Sequence, residues 1–407
     1  MSMDRRQFLM GASAAAVAAS LPEMTLAAGD KIRLGSILDM SGIFDIYGKP
    51  MDQATRLAVS EINAAGGLNG KQVEVVSYDT QSDMALYTQY GKKLARRDKV
   101  DVVHGGILSA SREAIRPTLR RNKVLYFYNV QYEGGVCDRN TFCTGITPAQ
   151  QAEVLVPAAM KRWGKKAYIL AADYNYGQIT AKWLTHYLRQ NGGDAQQIDF
   201  FPLSVADFGT TITKIQQEKP DFIISVLVGG AHMAFYRQWA ASGMKSKIPM
   251  CSTTLGAGNE QLVLTPEEGN GILVAYSYSQ QNQNAENQAF MKKWADTYGD
   301  TNVINELAVA TYNGVHLWAE GVRRAKSLDR LKVIEALESC VSFQGPTGKV
   351  MLDGPTHHAV IDIHLQEFRD QKAVVLESLG QRQPVDTQSV CDLKKNPDDN
   401  QQYEIKI

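Results

Sequence analysis

The chain has 407 residues, of which 44% are hydrophobic, and its 43 Lys and Arg balance its 43 Asp and Glu. That length predicts about two or three domains, and the composition is that of a folded globular protein rather than a disordered one. The absence of net charge argues against nucleic-acid binding, the lack of a long apolar run beyond the N-terminus argues against a membrane span, and the five cysteines are not spaced as a zinc site.

The first 28 residues have the pattern of a secretory signal peptide. The arginines Arg5-Arg6 precede a run of small apolar residues from Gly11 to Leu21, and small residues near Ala28 offer a cleavage point. The adjacent arginines are similar to a twin-arginine signal, an export address used in bacteria. The alternative is an amphipathic N-terminal helix. We expect residues 1–28 to be removed and the mature protein to work in the periplasm.

Predicted strands and helices alternate through the first half of the chain and again through the second. The first series is strand Lys31–Leu38, helix Pro50–Ala64, strand Val73–Tyr78, helix Leu86–Arg97, strand Val100–His104, helix Ser111–Arg121 and strand Val124–Tyr128. The second is helix Ala149–Arg162, strand Ala167–Ala171, helix Thr180–Gln190, strand Gln197–Phe201, helix Thr210–Gln217, strand Phe222–Val228, helix Ala231–Ala241 and strand Ile248–Ser252. This rhythm predicts an α/β protein with two doubly wound parallel-sheet lobes.

A third segment returns to the lobes. It contains strand Gly271–Tyr278, helices Ala285–Tyr298, Asn305–Ala325 and Leu328–Ser339, and a strand region from Gly345 to Val375. We therefore expect the chain to cross between lobes more than once. The predicted lobes comprise residues 29–148 with 277–358, and residues 149–276 with 359–385. The polar tail, residues 386–407, is expected to wrap the surface.

Export would place the cysteines in an oxidising compartment, where pairs form disulfides. Cys137 and Cys143 lie in a turn-rich segment and could close a small loop. Cys340 and Cys391 could attach the tail to the body. Cys251 lies in an apolar run and is expected to be a buried free thiol. The alternative is that all five are small core residues.

Ligands of doubly wound sheets bind beyond the carboxyl ends of the strands. The loops at those positions are Asp39–Tyr47, Gly105–Ser111, Asn129–Glu133, Asp173–Gly177, Val228–His232 and Thr253–Gly258. Ser109 or Ser111 is a good candidate N-cap, and the helix start would offer backbone N–H groups to a carbonyl or carboxylate. Tyr128 is expected to face the cleft, whereas Tyr126 and Phe127 are expected in the core.

These loops contain no recognisable catalytic set. The chain lacks the Gly-x-Ser-x-Gly elbow of hydrolases and the Gly-x-x-x-x-Gly-Lys-Ser/Thr phosphate loop. His357-His358 and His364 lack further ligands at metal-binding spacing. Glu133 is the only acid among the cleft aromatics, and a single carboxylate is weak support for acid–base chemistry. We predict neither an enzyme, a metal site nor a cofactor.

Several motifs resemble the leucine/isoleucine/valine-type periplasmic solute-binding proteins of ABC importers. They are Leu34-Gly35-Ser36 with Ser41-Gly42, then the quite specific stretch Asn63-Ala64-Ala65-Gly66-Gly67-Leu68-Asn69-Gly70, then Asp79-Thr80-Gln81. The similarity extends from about Lys31 to Val375. It implies the type I periplasmic binding protein fold, with two lobes joined by a three-crossover hinge and closing over a small ligand.

Two further segments are similar to the urea- and short-amide-binding branch of that family. They are Val130–Gly134 followed by Cys137 and Gly145, and Ser109–Arg112. The resemblance implies ligand contacts at Ser109, Tyr128, Val130, Tyr174, Tyr176 and the turn Val228-Gly229-Gly230. We add Ala110, Ser111 and Gln131 from the same loops, and expect Ser109 to bond a ligand carbonyl between walls formed by Tyr128 and Tyr174.

The residue chemistry of these loops agrees with a neutral ligand. Hydroxyls, backbone N–H groups and aromatic walls suffice for an amide, whereas an amino acid would need an acid such as Asp173 or Glu133 for its ammonium. The first hypothesis is a monomeric binding protein that delivers urea or an amide to the permease of an ABC importer. The alternatives are an amino-acid-binding protein of the same class, an exported amidase, and a ligand-sensing regulator on the same fold.

Overall fold

The computed structural model of the protein describes residues 31–404. Its strands are β1 (Ile32–Leu38), β2 (Val73–Asp79), β3 (Val102–Gly105), β4 (Leu125–Tyr128), β5 (Val136–Asp138), β6 (Thr141–Cys143), β7 (Lys166–Ala172), β8 (Asp194–Phe201), β9 (Phe222–Val226), β10 (Met250–Ser252), β11 (Leu273–Tyr276), β12 (Ser342–Gly345), β13 (Gly348–Asp353), β14 (His358–Arg369), β15 (Lys372–Arg382) and β16 (Asn400–Gln402). Its helices are α1 (Asp45–Ala64), α2 (Met84–Lys93), α3 (Ser109–Arg121), α4 (Pro148–Trp163), α5 (Asn175–Gln190), α6 (Gly209–Glu218), α7 (Gly230–Ala241), α8 (Pro266–Gly269), α9 (Ala285–Tyr298), α10 (Glu306–Ala325), α11 (Arg330–Leu337) and α12 (Val385–Gln388).

Two parallel sheets form the lobes. The first lobe has the strand order β2-β1-β3-β4-β6, and the second has β11-β10-β9-β7-β8. Within each set the pairings are parallel, and the central strands β3, β4 and β9 are buried along their whole length. Because helices cover both faces, these strands consist of nearly continuous apolar residues, as the sequence pattern predicts.

The long strand β14 belongs to both lobes. Near His358 it pairs with β6 and β13 of the first lobe, and beyond it pairs with β11 and β15 of the second. The chain also passes between lobes where β6 leads into α4 and where β11 leads towards α9. The two-lobe architecture with three crossovers is therefore confirmed. The residue numbers at which one lobe ends and the other begins stay a prediction.

The types of the secondary-structure elements agree with the predictions better than the residues at which the elements begin. Helix α1 begins at Asp45, so Pro50 lies inside it instead of opening it, and α5 begins at Asn175 rather than Thr180. Proline lacks a backbone N–H and is therefore typical of a helix start, but a helix can include one near its first turns at the loss of one bond. The short strands β5 and β6 lie in a segment predicted as loop.

The predicted N-cap of α3 is wrong. Leu108 is the capping residue, and no side chain caps the helix. The Ser111 hydroxyl instead donates to the carbonyl of Leu108 at 2.7 Å and accepts from the N–H of Ile107 at 3.0 Å. Ser109 is the first helical residue, and its hydroxyl bonds elsewhere, as described below.

The predicted disulfide pairs are also wrong. Cys137 is bonded to Cys391, which is 254 residues away in sequence, whereas Cys143, Cys251 and Cys340 are free. Cys143 lies in β6, beside β4 in the sheet, where its thiol is buried, whereas Cys137 lies in β5, which pairs with the tail strand β16. The predicted burial of a free Cys251 is confirmed.

The tail packs on the first lobe. Strand β16 extends β5, and Cys391 and Leu393 form a small apolar cluster with Cys137. The predicted signal peptide, residues 1–28, lies outside the described residues. Across residues 31–404, no helix has the length and apolar character needed to cross a membrane, and no His, Cys, Asp and Glu side chains gather into a metal-binding group.

Candidate ligand-binding cleft

A cleft with about 410 Å³ of empty space, part of it open to solvent, lies where the strand ends of the two lobes face each other. We call it the cleft. From the first lobe its walls are Tyr47, Ile107, Leu108, Ser109, Tyr128, Val130, Gln131 and Leu307, and from the second they are Tyr174, Tyr176, Val228, Thr254 and Ala257. The loops after β3, β4, β7, β9 and β10 supply most of these residues, as expected for the carboxyl ends of parallel strands.

Most residues predicted for the site meet in this cleft. The exceptions are Ala110, which is exposed on α3, Ser111, whose hydroxyl bonds the loop before α3, and Gly229, which precedes α7 without lining the cleft. The others line it together: Ser109, Tyr128, Val130, Gln131, Tyr174, Tyr176 and Val228.

The sequence did not single out several of the lining residues. Tyr47, Thr254 and Ala257 lie in or at the edge of loops that were predicted to face a ligand, but no motif distinguished them from their neighbours. Leu307 lies in the first turn of α10, more than 170 residues beyond the first-lobe loops, and reaches the cleft because α10 packs against α1. No local pattern could have found it.

The lining contains no Asp, Glu, Lys or Arg side chain. Aromatic rings form much of it, with Tyr128 on the first lobe and Tyr174 and Tyr176 on the second. Burial raises the pKa of Tyr176 to about 12, so its phenol is neutral at physiological pH. Aromatic walls with a few polar groups are the usual composition of small-molecule pockets.

A buried ion pair lies directly behind this uncharged lining. The guanidinium of Arg112 donates to Glu133 Oε1 at 2.8 Å, and the side chains of both residues are 0% exposed. The other carboxylate oxygen, Oε2, accepts from the hydroxyl of Ser109 at 2.6 Å. In this structure the Ser109 hydroxyl proton is therefore donated to Glu133, whereas the predicted role of Ser109 is to donate it to a ligand carbonyl.

Several groups hold Arg112 in place. Its guanidinium carbon lies 5.0 Å from the ring centre of Tyr128 and 4.6 Å from that of Tyr132, which is cation–π geometry. It also donates to Glu113 and to Gln402 of the tail, each at 2.8 Å. Burial alone would lower the pKa of Arg112, but the carboxylate of Glu133 raises it above the ordinary value, so the guanidinium stays charged.

Gln131 joins the two lobes across the cleft. Its amide nitrogen donates to the carbonyl of Thr253 at 2.8 Å and to the phenol of Tyr176 at 3.3 Å, both in the second lobe. The Tyr176 phenol in turn donates to Thr253 Oγ1 at 3.1 Å. The amide oxygen of Gln131 is buried and has no hydrogen-bond partner among the described residues. The lobes are thus in contact, with an unused acceptor between them.

Three helices begin at the cleft. Ser109 starts α3, Tyr174 precedes α5 and Val228 lies just before α7. The first N–H groups of a helix have no partner within it, and the helix dipole makes this end partially positive. The backbone therefore supplies hydrogen-bond donors to a site whose side chains carry no charge.

A second and larger cavity lies at the hinge, with about 990 Å³ of empty space that is partly open to solvent. We call it the hinge cavity; its polar lining includes Gln261, Ser279, Asn305 and Glu306. Glu306 accepts from the Ser277 hydroxyl at 2.6 Å and from the N–H of Tyr278 at 2.9 Å. Burial raises the pKa of its carboxyl group to about 7.

Comparison with known proteins decides the family. Residues 31–373 match the model of the family described as "Periplasmic binding protein". The chain belongs to this family. Its members are non-enzymatic transport components that bind small molecules and work with ABC permease subunits, which confirms the predicted class of protein.

Relatives of this periplasmic binding protein include amino-acid binders. The leucine-, isoleucine-, valine-, threonine- and alanine-binding protein of Pseudomonas aeruginosa is 24% identical over 333 residues, which cover 80% of this chain and 87% of the relative. A Leu/Ile/Val-binding protein homologue of Brucella suis is 22% identical and covers 82% of this chain and 87% of its own length.

Solved structures share the fold of this periplasmic binding protein. A solute-binding protein of an ABC transporter from Rhodopseudomonas palustris, in complex with p-hydroxybenzoic acid, superposes with a TM-score of 0.78 at 23% identity, covering 87% of this chain and 98% of that chain. The branched-chain amino acid transporter substrate-binding protein LivJ from Streptococcus pneumoniae, in complex with isoleucine, has a TM-score of 0.74 at 23% identity, covering 86% and 100%.

Proposed function

We propose that this protein captures urea or a short amide in the cleft and delivers it to an ABC importer. The observation that carries the proposal is the cleft lining, which includes no charged side chain. A neutral solute needs no counter-charge, whereas an enclosed charge without a partner carries a large desolvation cost. The seven predicted residues that meet there are proposed to contact the ligand.

The polar groups of the cleft match an amide. An amide carries one acceptor oxygen and N–H donors on the same small plane. The helix starts at Ser109 and Val228 offer N–H groups for the oxygen, and the unpartnered Gln131 Oε1 can accept from the nitrogen. Tyr128 and Tyr174 would cover the two faces of the plane from opposite lobes.

Delivery requires export and lobe closure. The twin-arginine-type signal predicted in residues 1–28 supports action in the periplasm, where we propose that the protein is a monomer that docks on permease subunits. We expect closure about a hinge near Thr147–Ala149 and Tyr276–Ser279, where the chain crosses between the lobes. Gln131 already bridges the lobes and would favour the closed state.

A carboxylate-bearing solute is the second candidate. The three helix starts that face the cleft favour an anion, and the compared proteins include an amino-acid binder and a structure holding p-hydroxybenzoic acid. An amino acid would also need an acid for its ammonium group, and no Asp or Glu lines the cleft. We therefore rank the amide first.

Calorimetry with purified protein tests the proposal. Urea, formamide and acetamide are titrated beside leucine and p-hydroxybenzoic acid. We expect at least one of the first three solutes to bind, and neither leucine nor p-hydroxybenzoic acid to bind. Tyr174→Ala should abolish measurable binding, because it removes a wall of the cleft. Tyr90→Ala, a tyrosine stacked on Tyr78 outside the cleft lining, is the matched control and should bind like wild type. Binding of leucine or p-hydroxybenzoic acid without any amide contradicts the proposal.

A further inference from the structure

The hydroxyl of Ser109 already donates its proton in a hydrogen bond within the protein. It donates to Glu133 Oε2 at 2.6 Å, and Ser109 is 2% exposed while Glu133 is fully buried. An ionised carboxylate is an acceptor only, and hydrogen bonds to it are stronger than those between neutral groups. A ligand in the cleft therefore meets the lone pairs of Ser109 Oγ rather than its proton.

Arg112 keeps this arrangement in place. Its guanidinium donates to Glu133 Oε1 at 2.8 Å, and both side chains are fully buried. Removing the proton acceptor Glu133 would leave a buried cation short of a partner, so the pair is held as a unit. Gln402 of the tail accepts from the same guanidinium, which connects the tail to the floor of the cleft.

The donor groups of two other side chains in the cleft also have hydrogen-bond partners within the protein. The Tyr128 phenol donates to the carbonyl of Ile107 at 2.7 Å. The amide nitrogen of Gln131 donates to the Thr253 carbonyl and the Tyr176 phenol, while its oxygen has no partner among the described residues. Ser109, Tyr128 and Gln131 thus line the cleft with side chains whose donor groups already have partners within the protein.

We propose that Glu133 is a positioning residue that fixes Ser109 as a hydrogen-bond acceptor, so that the cleft selects ligands with N–H donors over carboxylates. This inference rests on the proposed function, because it assumes that the cleft binds the solute. It adds the basis of selectivity: side chains receive the N–H groups of the ligand, and the backbone N–H groups at the helix starts receive its oxygen. A carboxylate facing Ser109, Tyr128 and Gln131 would meet acceptors only.

Calorimetry with acetamide, N,N-dimethylacetamide and acetate tests the inference in the full-length protein. Wild type should bind acetamide and lose at least about tenfold in affinity for the dimethyl compound, which has no N–H, and for acetate, because one unpaired buried group already costs about a factor of ten. Equal affinities for the three solutes overturn the inference.

Glu133→Gln is the decisive variant. Its side-chain amide can donate to Ser109 Oγ, which frees the serine proton for a ligand acceptor, so the ratio of acetamide to acetate affinity should fall about tenfold. Glu113→Gln is the matched control, because Glu113 also accepts from Arg112 at 2.8 Å but does not contact Ser109. A ratio that stays at the wild-type value in Glu133→Gln, or that falls equally in both variants, overturns the inference. If part of the variant protein does not fold, the fraction of active protein falls equally in the titrations with both ligands. The ratio of the two affinities is a property of the folded fraction and is not altered by this loss.

Ser109→Ala keeps the ion pair and serves if Glu133→Gln does not fold. It should weaken acetamide binding about tenfold and leave binding of N,N-dimethylacetamide unchanged, and equal losses for both would overturn the inference. If wild type binds a different solute, the proposed function fails while the inference is still tested. A crystal structure of that complex should show a donor atom of the solute beside Ser109 Oγ, and a carboxylate oxygen there overturns the inference.

Discussion

Two buried glutamates, Glu133 behind the lining of the cleft and Glu306 in the lining of the hinge cavity, have different partners. Behind the cleft, Glu133 meets the guanidinium of Arg112 at 2.8 Å. At the hinge, Glu306 meets only the neutral Ser277 hydroxyl and the N–H of Tyr278. Two side chains of one type are thus buried to a similar extent, one beside a cation and one without.

This difference gives the two glutamates different roles. The ion pair behind the cleft holds a fixed charge that orients the Ser109 hydroxyl. At the hinge, desolvation without a counter-charge raises the pKa of Glu306 to about 7, so its charge changes near neutral pH. Burial of the Glu306 carboxyl without a neighbouring cation therefore makes it a group that titrates near neutral pH.

The largest expected effect follows from removing the carboxylate of the ion pair. Glu133→Ala leaves Arg112 buried with one acceptor fewer, and loss of a partner from a buried pair costs about 3–5 kcal/mol. We expect the free energy of unfolding in urea to fall by this amount. Glu113→Ala is the control, because Glu113 is partly exposed, and it should cost clearly less. An equal fall in the free energy of unfolding in both variants would show that the buried ion pair stabilises the fold no more than the partly exposed one.

The contribution of Glu306 to the stability of the protein should depend on pH, and its raised pKa decides the direction of this dependence. Because the folded-state pKa of about 7 lies above the ordinary 4.5, the folded protein keeps this proton after the unfolded chain has lost it. Its contribution to stability is complete below pH 4.5 and is lost as the pH rises through 7, by on the order of 3 kcal/mol.

Glu306→Gln tests this sign. The variant should lack the decline between pH 4.5 and 7, and at pH 8 it should be at least as stable as wild type in urea unfolding. The difference between variant and wild type at each pH removes the contribution of other titrating groups. A variant that loses stability equally at pH 5 and pH 8 would contradict the raised pKa.

The smallest expected effect concerns the contact between the lobes. Gln131→Leu removes the bond to the Thr253 carbonyl, which keeps a second bond from Gln151 at 3.0 Å. Loss of one neutral hydrogen bond costs about 0.5–1.5 kcal/mol, so ligand affinity should fall by up to about tenfold. X-ray scattering should show a larger radius of gyration than wild type at equal ligand concentration. An unchanged affinity would mean that Gln131 neither stabilises closure nor accepts from the ligand.

The sequence predicts those residues of the site that lie at the carboxyl ends of parallel strands. Tyr128 ends a buried parallel strand, and Gln131, Tyr174 and Val228 follow such strands. The fold brings these positions together at one edge of each sheet. This reasoning needs only local patterns and the two-lobe topology. The predicted parallel sheets come from the same patterns, whereas the predicted class of protein rests on motifs such as Asn63–Gly70 that resemble a known family.

The remaining features depend on contacts between distant parts of the chain. The sequence predicts Ser109 as an N-cap because its acceptor, Glu133, lies 24 residues away. The partner of Glu133, Arg112, is not predicted, because its burial has no local signal. Cys137 looked like a partner for the nearby Cys143, but the tail strand β16 brings Cys391 to it. Side-chain partners of this kind follow from packing rather than from spacing.

The most direct test of the account is a crystal structure of the protein with acetamide. We expect the solute in the cleft, between the rings of Tyr128 and Tyr174, with its nitrogen within hydrogen-bond distance of Ser109 Oγ and only water in the hinge cavity. Acetamide bound in the hinge cavity with an empty cleft, or a solute that contacts one lobe only, would contradict the account.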